Sequence, residues 1–498
     1  MRQFLPLLVL LFTIHAEAQY GVPDPSFGIG GQVILPSGNP SSTSCNAVAQ
    51  APDGKLVIAG GVYQAGAYSW AVSRLLTDGA LDTTFADSGF AILPIGAGYS
   101  NATAVVVQPD GKVVAAGVSE VGTNTAFTLV RCNIDGSLDT TFDQDGILIA
   151  LFDGIYSCTA NAIALQPDGK IVAAGEYEGI SNYYAAMMRI NTDGSLDSTF
   201  SADGQWQSGY GTNHSINAIA LQPDGKILYA GRKLNGTYDE VMLGRVTDTG
   251  TSDGQVQLNA FSTSDVAYGV TLQPDGKIIA CGTASGTYWT GRYNADLSTD
   301  FTFGLGGWIS DSFSLNHHVA RSCHVLPSGD ILVSGNAAQF TSTCYQTNGT
   351  LQTAFGNGGY LSFNFPSPPA HTARAGILQA DGKLVVVGDQ ATNFLIARGL
   401  LDFNVGVLEF GSTDANIVVY PNPMQDQAVM RYSLEKDERI TITLRDVEGR
   451  AVRTLVDQHA SPSGRHEQVI DLSQLSGGVY FVELDNGQGR TCVRVSKP

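Results

Sequence analysis

The sequence predicts an all-β chain, a seven-bladed β-propeller followed by a small Ig-like β-sandwich, and three observations carry this expectation. An apolar run, a Gln-Pro-Asp-Gly-Lys-like turn and a second apolar run ending in glycine recur along the chain. The turn glycine falls at Gly54, Gly111, Gly169, Gly225, Gly276, Gly329 and Gly382. These seven units are spaced by 51 to 58 residues, a period that marks toroids and arrays. Near residue 411 the period stops, and short strand-like segments separated by glycine turns take over.

Each unit reads as four strands. In the second these are Ala102 to Gln108, Lys112 to Gly117, Ala126 to Asn133 and Gly146 to Phe152, with Pro109-Asp110-Gly111 and Asp135-Gly136-Ser137-Leu138-Asp139-Thr140-Thr141-Phe142 between them. Pro presets φ at the first central turn position, Asp bonds back to its own backbone, and Gly takes φ > 0. A lone four-stranded sheet exposes edges and faces that it cannot bury. Radial stacking of the sheets around an axis is the physical solution.

The chain ends predict how the ring closes. Residues 24 to 31, Asp-Pro-Ser-Phe-Gly-Ile-Gly-Gly, match the end of a repeat, and Phe27 and Gly31 keep the spacing of Phe85/Gly89 and Phe142/Gly146. The N-terminus therefore supplies a lone outer strand, roughly Gln32 to Leu35, to the seventh unit, which lacks a fourth strand of its own after Leu400. Arg74, Arg131, Arg189, Arg245 and Arg292 each have an aspartate eight residues later, at Asp82, Asp139, Asp197, Asp253 and Asp300. In the sixth unit Cys344 and Gln352 replace both partners together, which implies that the pair touches. Arg398 has no aspartate at that distance, and its expected partner is Asp24.

Residues 1–18 read as a secretory signal: Arg2, an apolar stretch from Phe4 to Ile14, and Ala16-Glu17-Ala18 before Gln19. No later segment is apolar enough to predict a transmembrane helix. The seven cysteines do not recur at one repeat position and are odd in number, so free structural thiols are expected. A net charge of −19 argues against nucleic acid or an anionic membrane surface as partner, since those need cationic patches. A soluble monomer is expected.

The residues therefore divide the chain into a signal at 1–18, a propeller at 19–410 and a tail at 411–498. The tail is predicted to hold seven strands: Ile417 to Tyr420, Ala428 to Leu434, Arg439 to Asp446, Ala451 to Val456, His466 to Asp471, Val479 to Leu484 and Thr491 to Val495. Turns at Glu448-Gly449, Ser476-Gly477-Gly478 and Asn486-Gly487 punctuate them, as in an Ig-like sandwich.

Tyr420-Pro421-Asn422-Pro423, Asp446-Val447-Glu448-Gly449-Arg450, Leu475-Ser476-Gly477-Gly478-Val479-Tyr480 and a basic end at Arg494 and Lys497 follow in order. In these landmarks the tail resembles the C-terminal type A sorting domain of the type IX secretion system of Bacteroidetes. That resemblance implies partnership with the secretion machinery through residues 411–498, and a protein secreted or attached to the outer-membrane surface. The repeats, over residues 20 to 410, resemble the delta-60 repeat family, whose signature joins the QPDGK-like turn to a D-G-x-L-D-x-T-F segment. That family is defined by sequence and implies no particular activity.

A carboxylate beside an amine in every QPDGK turn invites a catalytic reading, but catalysis needs its residues once, whereas every blade needs a turn. Asp143-Gln144-Asp145-Gly146 shares some of the spacing of a calcium loop without its full ligand series or closing Glu, so calcium is a secondary expectation. His317, His318, Cys323 and His324 form a His/Cys group, but adjacent strand residues face opposite ways and no metal is predicted. No nucleophile motif is present, and no catalytic residue is nominated.

Loops between the second and third strands, and those between blades, are variable and share one face of the ring. Their aromatic and histidine residues are the candidate ligand-binding set: Tyr63, Trp70, Tyr99, Tyr156, Tyr177, Tyr210, His214, Tyr268, Trp289, His318 and His371, with Tyr68 and Tyr183 beside them. Such rings with polar neighbours suit sugars or peptides. The expectation is a non-catalytic binding or adhesion propeller for an extracellular glycan or protein ligand. The alternatives are a carbohydrate-active enzyme on the same ring and a structural envelope protein.

Overall fold

Turn chemistry sets the blades. In all seven Asp-Gly or Ser-Gly turns the glycine takes φ between 83° and 87°, a region that side chains with a Cβ rarely enter. In six of them an aspartate carboxylate accepts the backbone N–H two residues on, as in Asp110 with Lys112 at 3.2 Å. The flanking runs then pair as antiparallel hairpins.

The computed structural model describes residues 20–497 apart from 37–41, 65, 87, 97, 153–155, 181, 210–212, 259–263, 312–317, 338, 367–370, 402–417, 421–426, 435, 447–449, 476–477 and 488–489. The signal segment, the boundary near residue 411, Tyr210, His317 and the Glu448-Gly449 and Ser476-Gly477 turns lie outside the described residues. The chain falls into two compact units, one spanning Gln19–Asp402 and one taking in Phe403–Pro498.

The first unit contains seven antiparallel four-stranded blades. Their innermost strands are Ser42–Gln50, Ser100–Val107, Cys158–Leu165, His214–Leu221, Asp265–Leu272, Val319–Val325 and Thr372–Leu378. Each packs against the next, and the seventh packs against the first, closing the ring. Blade 7 takes its outer strand from the N-terminus: Gln32–Pro36 pairs with Asn393–Leu400, from Gln32 opposite Ala397 to Pro36 opposite Asn393. A two-residue strand, Val22–Pro23, continues along the same edge opposite Leu400 and Gly399. Apolar side chains fill the space between adjacent blades; Val114, Phe127, Phe142, Ile171 and Met188, for example, share one cluster across blades 2 and 3.

Every inner strand carries a β-bulge at the same place. The residues left unpaired are Asn46, Thr103, Asn161, Asn217, Tyr268, Arg321 and Arg374. The glycine that ends the second apolar run sits opposite this irregularity. A Cβ on Gly60, Gly117, Gly175, Gly231, Gly282, Gly335 or Gly388 would lie within 2.1 Å of a backbone carbonyl oxygen of the inner strand. Only glycine allows that approach.

The Arg/Asp pair of the repeat is a clamp between blades. In blade 2, Arg131 Nε donates to Asp139 Oδ2 at 2.7 Å, and Lys112 Nζ from the QPDGK turn meets the same oxygen at 2.8 Å. Thr141 donates through its N–H and its hydroxyl to Asp139 Oδ1, while its hydroxyl accepts from Arg131 Nη2 at 3.0 Å. The guanidinium lies 4.7 Å above the Phe142 ring. Its Nη1 donates to the carbonyl of Thr192 in blade 3. Arg74, Arg189, Arg245 and Arg292 reach the carbonyls of Ile134, Asp248, Ala295 and Thr347 in the same manner.

Ring closure uses the same parts from opposite ends of the chain. Arg398 Nε donates to Asp24 Oδ2 at 2.8 Å, its Nη1 reaches the Thr77 carbonyl of blade 1, and its guanidinium lies 4.3 Å above Phe27. Between blades 6 and 7, where Cys344 and Gln352 replace the pair, the N-terminal segment fills the place. Tyr20 is buried there, 5.3 Å from Phe355 in an edge-on contact, and its carbonyl accepts the Gly356 N–H at 2.6 Å.

The second unit forms a three-stranded sheet (Val418–Tyr420, Gln427–Leu434, Gly464–Asp471) and a four-stranded sheet (Ala451–Ser461, Glu438–Arg445, Gly478–Asp485, Arg490–Lys497). Met430, Tyr432 and Ile470 from one sheet meet Ile440, Ile442, Val482 and Val495 from the other in a shared core.

The clamp carboxylates of Asp82, Asp139, Asp197 and Asp300 are buried, which alone would raise their pKa values. Hydrogen bonds from the neighbouring Thr, Lys and Arg groups outweigh burial and hold them well below the usual carboxylate range. A lowered folded-state pKa stabilises the fold above the ordinary carboxylate value of about 3.9, and this contribution is lost as pH falls through the folded value. The four tryptophans, Trp70, Trp206, Trp289 and Trp308, all lie in the propeller and report on it alone. In urea unfolding followed by their fluorescence, Arg131→Ala should cost about 2–3 kcal/mol by removing charge-assisted hydrogen bonds to the buried Asp139 and to the Thr192 carbonyl, while Lys112 still meets Asp139. Arg232→Ala, in the exposed Arg232–Asp239 pair, should cost under about 1 kcal/mol. The unmodified propeller should hold its stability from pH 8 to 5 and lose it below about pH 4.

Candidate functional site

Antiparallel pairing places the loops between second and third strands, and those between blades, on the face opposite the clamps. Four tyrosines there are 42–44% exposed: Tyr68, Tyr99, Tyr183 and Tyr238. With exposed Val121 and Ile180 they form an arc along the tips of blades 1 to 4. Tyr63, Tyr68 and Tyr99 make its best-defined part, with ring centroids 4.6 Å and 5.1 Å apart in succession. Polar groups frame these rings: Asn101 Nδ2 donates to the Tyr99 hydroxyl at 3.3 Å, and Glu120 accepts the Tyr99 N–H at 2.9 Å. Tyr183 donates its N–H to Asn213 at 2.9 Å.

Five residues expected to meet ligand are buried, and this corrects the sequence reading. Trp70 packs between blades and donates its indole N–H to the Val118 carbonyl at 3.1 Å. Tyr177 is stacked between Phe152 at 4.4 Å and Tyr184 at 5.1 Å, with its hydroxyl on Gln207. His214 bonds Ser208 at 3.0 Å, and burial together with nearby Lys233 lowers its pKa to about 4. Trp289 lies in the core of blades 4 and 5, and His318 lies edge-on to Tyr288. Of the others, Tyr99 is exposed, while Tyr63, Tyr156, Tyr268 and His371 are half-buried. Tyr156 packs 5.7 Å from Tyr177, and His371 lies 5.6 Å from Phe365.

Aligning the repeats on the clamp arginine would have flagged Trp70. It stands four residues before Arg74, where the other units carry Phe127, Ala185, Val241, Tyr288, Phe340 and Phe394. That column is apolar and buried in every blade.

A second region was missed because it lies on strands rather than loops. The bulge residues stand eight positions before each turn glycine, and the column reads Asn46, Thr103, Asn161, Asn217, Tyr268, Arg321, Arg374. They are half-exposed although their strands are innermost, so they face the central channel. In blades 1 to 4 each side chain donates across to the next inner strand: Asn46 to the Ala102 carbonyl, Thr103 to Ala160, Asn161 to Ile216 and Asn217 to Ala267, at 2.6–2.9 Å. Blades 5 to 7 depart from this pattern. The Arg321 guanidinium lies 4.3 Å above the Tyr268 ring, and Arg374 Nε donates to Asp389 Oδ1 at 3.0 Å.

Among the described residues no group of three or more His, Cys, Asp or Glu side chains is placed to hold a metal. Asp143 and Asp145 instead shape a turn: Asp143 donates its N–H to the Asp193 carbonyl, and Asp145 accepts the Ile147 N–H. His324 bonds the Gly376 carbonyl at 3.1 Å, away from any such group. No described helix is long and apolar enough to cross a membrane.

Residues 418–497 match the family described as a secretion system C-terminal sorting domain. Residues 51–85, 108–142 and 166–200 match a β-propeller domain of unknown function, DUF5122. The chain thus joins repeats of that propeller family to a type IX sorting domain, which marks it as exported, either secreted or held at the cell surface. No curated protein matches the sequence. Solved structures similar to the chain include Sqt1 from Chaetomium thermophilum, at 12% identity and a TM-score of 0.45, covering 77% of this chain and 100% of that one. The soluble aldose sugar dehydrogenase from Escherichia coli is similar at 10% identity and a TM-score of 0.35, covering 74% and 98%. Prolyl oligopeptidase B from Galerina marginata is similar at 11% identity and a TM-score of 0.37, covering 80% and 57%.

All seven cysteines are free thiols and six are buried. Burial pushes the Cys158 thiol up to about 11 and the Cys132 thiol to about 12, and thiols in that state are inert. A thiol reagent at pH 8 should modify Cys492 at most in the folded chain, and all seven in denaturant. Rapid labelling of Cys45 or Cys281 would contradict this packing.

Proposed function

We propose that the exported chain is a non-catalytic binding or adhesion propeller that presents its variable face to an extracellular glycan or peptide. In this reading residues 19–410 form the binding module. Residues 411–498 engage the secretion machinery, and residues 1–18 direct passage across the inner membrane.

The observation that supports the reading is the arc of four exposed tyrosines over blades 1 to 4, flanked by Asn101, Glu120 and Asn213. A tyrosine ring offers an apolar face to a sugar or aliphatic side chain and a hydroxyl to its polar edge. The neighbouring amides and carboxylate supply the directional bonds that orient such a ligand. Rings spread along an edge, rather than acidic groups gathered in a cleft, fit recognition better than turnover.

A glycan and peptide array probed with the full chain tests this. Selective binding is expected, and Tyr68→Ala with Tyr99→Ala should weaken it about tenfold or more, from about 1 kcal/mol per ring. Binding that survives the double substitution unchanged, or none by the folded chain, would overturn the reading. Repeating the array in EDTA tests calcium at Asp143–Gly146.

A further inference from the structure

The channel column departs from its own pattern in one sector only. Four consecutive blades place a small amide or hydroxyl at the bulge, and each satisfies itself on the neighbouring strand. The next three place Tyr268, Arg321 and Arg374 there. Two arginines at one radius of a narrow ring repel each other, and in a chain of net charge −19 the arrangement has no general electrostatic cause.

The two arginines differ in how they are compensated. Arg374 has Asp389, whose Oδ1 it meets at 3.0 Å and which also accepts the Cys45 N–H at 3.4 Å. Arg321 has no hydrogen bond or ion pair with any described residue, and its buried Nε lacks an acceptor. The Tyr268 face holds the guanidinium in place by its π-cloud but accepts none of its five N–H donors. Burial lowers the Arg321 pKa, reinforced by Arg374 and opposed by Tyr268, Tyr288 and Asp389. Two guanidinium groups therefore share one carboxylate, and a guanidinium whose buried Nε has no acceptor is costly until an anion meets it.

We propose that the central channel binds an oxyanion, a carboxylate or a phosphate or sulfate group, against Arg321 with Arg374 beside it and Tyr268 behind. The Nε and Nη edge of a guanidinium matches two oxygens of such a group in parallel, so Arg321 is suited to a bidentate contact. Tyr268 positions the guanidinium rather than touching the anion. The site is separate from the tyrosine arc and stands or falls independently of it.

The test is the unfolding midpoint of the full chain, followed by tryptophan fluorescence in acetate, glucuronate or inorganic phosphate against chloride at equal ionic strength. A ligand of the folded state at 100 times its Kd stabilises by about 2.7 kcal/mol, a shift of a few degrees. The expected result is an upward shift with at least one anion, lost in Arg321→Gln and reduced in Arg374→Gln. The shift should be retained in Asn161→Ala, which changes the same column at a self-satisfied blade. The anion giving the largest shift identifies the chemical group. Arg321→Gln removes an unpaired charge and should fold, and Arg321→Lys, which keeps charge but not the bidentate edge, should bind weakly. Equal shifts in native, Arg321→Gln and Arg374→Gln chains, or no shift with any of the three anions, would overturn the site.

Discussion

The arginine that joins blade to blade at six of the seven junctions is the interaction on which the rest of the ring depends. Apolar packing between twisted sheets is strong but unspecific in register, whereas a planar guanidinium with donors on two sides can satisfy a carboxylate of its own blade and a carbonyl of the next at once. Arg131 does this with Asp139 and Thr192, and Arg398 does it with Asp24 and Thr77 across residues far apart in sequence. The carboxylate is oriented by Thr141 and neutralised by Lys112 as well, so the buried charge is fully hydrogen-bonded. This condition separates a useful buried ion pair from a costly one.

Placing the clamps on one face leaves the opposite face free to vary. The short Asp-Gly or Ser-Gly turns recur in all seven blades and the clamp aspartate with its threonine recurs in blades 1, 2, 3 and 5, while the hairpins at Gln64, Val121, Glu178 and Leu234 differ in length and composition. A rigid scaffold below and variable tips above is a common division in binding proteins. Export by the C-terminal domain puts those tips where extracellular molecules can reach them. The channel is a third surface, shaped by seven bulges, and one sector of it carries two arginines, Arg321 and Arg374.

Much of this was legible because repetition separates structural from individual residues. QPDGK occurs in most blades and reads as a turn, and its lysine proves to serve the clamp through Asp139 or Asp300. Joint loss of Arg and Asp in the sixth unit pointed to a contact, and the N-terminal Asp-Pro-Ser-Phe stretch pointed to closure. What was not legible was which side of a strand faces a neighbouring blade. In a propeller both faces of each sheet are covered, so alternation does not separate buried from exposed, and Trp70, Tyr177 and Trp289 read as loop-end rings although they fill inter-blade space. The bulge was hidden for a related reason. Its signal is the glycine on the adjacent strand, which reads as an ordinary strand end until its close contact with the Asn101 or Thr159 carbonyl is seen. Tyr20 filling the junction that lacks an arginine had no sequence pattern at all, because it occurs once.

A double-mutant cycle on Arg398 and Asp24, with each single alanine variant and the pair unfolded in urea under tryptophan fluorescence, tests the clamp most directly. These residues are bonded at 2.8 Å and lie at opposite ends of the propeller sequence, so any coupling between them reports ring closure rather than local structure. The account predicts a coupling energy of about 2 kcal/mol or more, as found for partners in one buried network. Additive losses, with coupling within about 0.5 kcal/mol of zero, would show that apolar packing closes the ring and that the clamp merely decorates it.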